Sequence, residues 1–111
     1  MDQLNEKTFK DLNQMLIDIA DKFFFAKRIK DNPDSLILSE SPFDEDYSLD
    51  EYILKVTKAY ESLDDGEKNL INNEFFYQSY QEWWKPLYSK ASFYRYKKEA
   101  MEKFLGAFYD F

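Results

Sequence analysis

Between Phe9 and Ile29 the apolar residues Phe9, Leu12, Leu16, Ile19, Phe23 and Ala26 recur at alternating spacings of three and four. Only a helix of about 3.6 residues per turn brings such positions to one side, so the spacing predicts a long amphipathic helix within residues 1–31. Met15, Ala20 and Phe24 widen the stripe. The near-heptad repeat lasts fewer than three heptads, which favours burial against other helices of the same chain over a coiled-coil seam. A homodimer remains an open expectation.

Few residues interrupt helices. The 111-residue chain has two glycines and three prolines, and its 22 aromatic residues supply enough apolar surface for a core. The expected fold is all-α: a single-domain bundle of four to five helices, with the C-terminal part arranged as a degenerate helix-turn-helix.

Eight acidic residues and no basic one fall between Asp31 and Glu51, interrupted by Asn32-Pro33 and Ser41-Pro42. Proline pushes the residue before it out of helical geometry, and Asx and Ser side chains close local turns, so residues 32–47 read as an acidic connecting loop. Asp44-Glu45-Asp46 lacks the alternating ligands, the glycine and the closing glutamate of a calcium loop, and no metal site is expected.

Ser48-Leu49-Asp50-Glu51 has the pattern of a capping box, so a second helix starts there with Leu49, Tyr52, Ile53, Val56, Ala59, Tyr60 and Leu63 along its apolar face. A third is expected from Asp64 or Asp65, with Leu70, Ile71 and Phe75 turned inward. Residues 75–96 then hold ten aromatics, most of them assigned to the core, with Tyr94 the candidate for an exposed ring.

Charge separates along the chain. Residues 1–75 carry nine basic and eighteen acidic side chains, a balance of −9, whereas residues 76–111 carry six and four, a balance of +2. Lys85, Lys90, Arg95, Lys97 and Lys98 form a basic run with no acid among them, in a chain of net charge −7. Ser89 is a good N-cap for a last helix whose inward face is read as Phe93, Tyr96, Ala100, Phe104 and Phe108. The opposite side then offers the N-terminal end of a helix to a DNA groove, where residues near that end read bases and flanking cations neutralise phosphates. Ser92, Tyr94 and Arg95 are the expected readers, and Lys85, Lys90, Lys97 and Lys98 the phosphate contacts. Glu99 and Glu102 are read as surface partners of Lys98 and Lys103.

Residues 63–105 resemble the helix-turn-helix region 4 of sigma factors and of related phage-type, autolysin-regulator-like transcriptional activators. Leu63, Glu67 and Ile71 match the support helix of that family. Ser79-Tyr80-Gln81-Glu82-Trp83-Trp84 resembles the lead-in to the first helix of the motif, which Leu87 closes. Ser89 to Arg95 resembles the cap and first turn of the recognition helix, and Phe93, Ala100, Met101 and Phe104 match its buried spacing. The chain differs from the family at Trp84, usually a small residue, at Lys85-Pro86, where the turn usually has a glycine, and at Lys97, usually apolar. The resemblance implies a transcription-related regulator that binds double-stranded DNA.

A second reading makes the acidic helical surface a protein-interaction module, with RNA polymerase or another nucleic-acid-binding protein as partner. Without histidine or cysteine the chain lacks the commonest general base, metal ligand and thiol nucleophile, and it has no phosphate-binding glycine loop. Neither an enzyme nor a cofactor is expected. No stretch reaches the ~18 apolar residues of a membrane span, and the first residues lack a basic segment followed by an apolar run, so no membrane association and a cytoplasmic location are expected.

Overall fold

The computed structural model describes residues 8–32, 43 and 47–109. Most of the acidic connection expected over 32–47, including Asp44-Glu45-Asp46, lies outside the described residues. The described chain is helical: α1 (Phe9–Asp31), α2 (Leu49–Glu61), α3 (Asp65–Ile71), a π-helical turn (Asn72–Phe76) and α4 (Lys90–Tyr109). No strand occurs among the described residues.

Each α-helix starts on a side-chain cap that relieves amide groups with no partner inside the helix. Thr8 opens α1 with a reciprocal box, its hydroxyl accepting from the Asp11 amide while its own amide donates to the Asp11 carboxylate. At α2 the Ser48 hydroxyl accepts from the Glu51 amide at 3.2 Å. Asp64 and Glu67 form a full box at α3, both bonds 2.8 Å. Ser89 accepts from the Ser92 amide at 3.2 Å and sets the start of α4.

Helix α4 is the central element, packed against α1, α2 and α3. It buries Phe93, Ala100, Met101, Phe104, Leu105 and Phe108 against Leu12, Leu16 and Ile19 of α1, Tyr52 and Val56 of α2, and Leu70 and Ile71 of α3. The Tyr52 hydroxyl reaches α1, where it donates to the Ile19 carbonyl at 3.4 Å. Phe43, in the connection, packs its ring on Tyr47 and Tyr52.

Three details differ from the sequence reading. The inward position of α4 expected for Tyr96 belongs to Lys97: Tyr96 is 40% exposed and Lys97 only 9%. One step along a helix turns a side chain by about 100°, so this is the smallest phase error a pattern allows. Second, residues 81–87 form successive turns in place of a first helix of the motif. Their bonds run from the Lys85 amide to the Glu82 carbonyl and from the Leu87 and Tyr88 amides to the Trp84 carbonyl. Glu82 has φ of 60°, a left-handed conformation that no right-handed helix contains, and Pro86 has no amide to donate back to Glu82. Third, Tyr77 and Tyr80, each 71% exposed, lie more open than Tyr94, and only Phe75, Trp83 and Phe93 of the ten aromatics between 75 and 96 are buried.

Candidate nucleic-acid interface

The basic run divides according to how α4 turns. Ser89 fixes the first turn, and Phe93 locks its phase by stacking on Trp84, ring centroids 4.5 Å apart at 7°, with Trp83 edge-on at 6.0 Å. With that face buried, Lys90, Tyr94, Arg95 and Lys98 are exposed and Ser92 is half-buried. Lys85 joins them from the preceding turn, also exposed. Six of the seven residues expected at the interface thus reach solvent from the turn or from the first half of α4.

Lys97 is the exception. Its ammonium lies 2.7 Å from Glu74 Oε1 in the π-helical turn, between the rings of Phe9 and Phe75 at 5.5 and 5.2 Å. The other carboxylate oxygen of Glu74 accepts from Trp83 Nε1 at 2.7 Å. A side chain held this way neutralises an internal acid and has no reach to a phosphate. Lys97 is therefore a structural residue of the turn–α4 junction. The basic run conceals it, because its partner is 23 positions away.

The exposed cations are not equivalent. Lys85 pairs with Glu82 at 2.8 Å, and Lys98 lies 3.8 Å from Glu102 one turn on. Lys90 and Arg95 have no ion-pair partner among the described residues. The Arg95 guanidinium sits over the Tyr96 ring at 5.0 Å, which orders it without neutralising it. Exposed pairs contribute little, ~0–1 kcal/mol, and a phosphate can displace them. Lys103, expected beside Glu99 or Glu102, instead bonds Glu67 of α3 at 2.9 Å, which raises its pKa.

Carboxylates flank this face. A hollow of about 290 Å³ between α3 and α4 is lined by Asp64, Glu67, Glu99, Tyr88 and Tyr96. Among the described residues no group of three His, Cys, Asp or Glu side chains is placed to hold a metal ion, and no helix is long and apolar enough to cross a membrane. No protein-family model matches the chain, nor does any curated protein or solved structure.

Proposed function

We propose that this protein is a transcription-related regulator that binds double-stranded DNA through the N-terminal half of α4. The observation that carries this reading is the division of that half-helix: Phe93 and Lys97 face the core while Lys90, Tyr94, Arg95 and Lys98 face solvent from adjacent turns. A helix presented at its N-terminal end with cations alongside is the arrangement that fits a major groove. In this reading Ser92, Tyr94 and Arg95 meet base edges, and Lys85, Lys90 and Lys98 meet phosphates. The sigma-like spacing supports it in part, with α3 and its π-helical extension as the support element, residues 81–87 as a shortened first element and α4 as the recognition helix.

A net charge of −7 gives little long-range steering toward DNA, so the affinity rests on this local face, aided by a second copy or by a polymerase that supplies further contacts. The test is a mobility-shift titration over a range of salt. Arg95→Ala with Lys98→Ala weakens duplex binding, and each lost phosphate contact reduces the slope of log K against log salt by ~0.9. Binding that is unchanged in both affinity and slope sinks the reading.

The acidic hollow between α3 and α4 favours a second reading, an interaction module for a basic protein surface such as one on RNA polymerase. There the protein co-elutes with purified polymerase, Glu99→Lys breaks the complex, and no DNA is shifted at low salt. A DNA shift without polymerase decides for the first reading.

A further inference from the structure

A groove of about 700 Å³ runs between the turn at 81–87 and the start of α4. Trp84, Tyr88 and Tyr94 supply its aromatic surface, and Lys85 and Lys90 its exposed cations. Trp84 covers buried Phe93 with one face and stays half-buried, and the Tyr94 ring, 43% exposed, lies 6.5 Å from it at 58°. The two carboxylates in the wall, Glu74 and Glu82, are each already paired with a lysine. With Lys85 taken by Glu82 and Lys97 by Glu74, the net positive charge of the wall is that of Lys90, beside the half-buried Trp84 and the Tyr94 ring.

A base pair inside a stacked duplex shows only its edges, which hydrogen-bonding side chains read and ring faces do not. An aromatic wall with a lysine beside it matches the other presentation, a base out of the stack with a phosphate flanking it. We infer that this groove takes one unpaired nucleobase of a DNA strand, stacked on the free face of Trp84 with the tilted Tyr94 ring at its edge, and with an adjoining phosphate at Lys90. The inference rests on the nucleic-acid reading above and adds to it a preference for locally opened DNA.

Fluorescence anisotropy with two labelled probes of one sequence, a perfect duplex and the same duplex with a single unpaired base, tests this. The bulged probe binds about tenfold more tightly, within the range that stacking one base on an aromatic side chain provides. Trp84→Leu brings the ratio of the two affinities toward one, and Tyr94→Leu lowers it independently should Trp84→Leu fail to fold. Because the readout is a ratio within one protein, a general loss of affinity does not imitate the effect. A ratio near one in the unmodified protein overturns the inference and leaves duplex binding standing. A ratio that survives Tyr94→Leu, and Trp84→Leu where that variant folds, also overturns it. Absence of binding to both probes at low salt overturns the inference and the duplex reading together.

Discussion

Glu74 and Lys97 meet at 2.7 Å across the junction between the π-helical turn and α4, and the same carboxylate accepts from the Trp83 indole at 2.7 Å. One acid thus ties together three segments that the backbone does not join directly. Both charges are largely withdrawn from water, with side-chain exposures of 19% for Glu74 and 11% for Lys97. Removing one leaves the other inside without its counter-charge, the costly way to break such a pair. Lys97→Met should therefore destabilise the protein by ~2 kcal/mol, somewhat below the ~3–5 kcal/mol of a wholly buried pair. The double variant Glu74→Gln with Lys97→Met recovers most of that loss, since the glutamine carbonyl still accepts from Trp83. Urea denaturation of the two variants checks this, and a double variant less stable than Lys97→Met refutes it.

The parts of the fold legible in the sequence are those set by neighbours within one or two turns. Leu12, Leu16 and Ile19 announce the buried side of α1, and Ser48 and Ser89 announce helix starts, because a cap acts over three residues. Lys97 was hidden for the opposite reason. A lysine in a basic run reads as surface until a distant carboxylate is known to lie beside it, and Glu74 comes near only when the chain folds back. The turn at 81–87 reads as helix because its aromatic and polar residues tolerate one, whereas the left-handed Glu82 is a tertiary outcome. Charge and helical spacing were enough to place Lys90, Tyr94, Arg95 and Lys98 on the exposed side of α4, although the inward position fell one residue away, at Lys97. The contribution of Trp84 needed the stacked geometry.

Glu82 holds a left-handed backbone that a side chain with a Cβ adopts at a cost of ~1 kcal/mol, and its carboxylate neutralises Lys85 at the rim of the groove. Asparagine tolerates that conformation better than glutamate and carries no charge. Glu82→Asn should leave stability unchanged or raise it by up to ~0.5 kcal/mol, since the lost surface pair is worth only a few tenths. It should also tighten duplex binding and steepen its salt dependence, because Lys85 then meets phosphate without first releasing an acid. Thermal unfolding together with binding at two salt concentrations checks both effects. Weaker binding by a stable variant contradicts the placement of Lys85 on the interface.

Ser89 caps the turn that carries Lys90 and Ser92, so its loss should affect both stability and the face proposed to meet DNA. Ser89→Ala should cost ~1 kcal/mol, while Ser89→Gly should cost only a few tenths. Fraying of the first turn in the alanine variant also reduces DNA affinity, and the glycine variant retains more of it. Equal effects of the two substitutions on stability would show that the cap does not set the start of α4.

Burial of Tyr52 should make the fold less stable at alkaline pH. Its hydroxyl is enclosed between α1, α2 and α4 and donates to the Ile19 carbonyl. Burial chiefly, with Tyr109, Tyr47 and Asp18 adding negative potential, raises its pKa well above the ordinary value. Burial and Asp18 raise Tyr109 as well. In the unfolded chain the Tyr52 phenol ionises near pH ~10, whereas the native fold holds it protonated to higher pH. Above that pH the unfolded state binds fewer protons than the native one, so stability falls as pH rises, by up to ~1.4 kcal/mol per pH unit for Tyr52 and by less for the 41% exposed Tyr109. Below it the phenols are neutral in both states and contribute no slope. Tyr52→Phe should therefore lose no more than ~0.5 kcal/mol at neutral pH through the long 3.4 Å hydrogen bond, yet decline less steeply between pH ~10 and ~11.5. Urea midpoints measured at pH 8, 10 and 11 give both slopes, and parallel declines in the two proteins would remove Tyr52 as the cause.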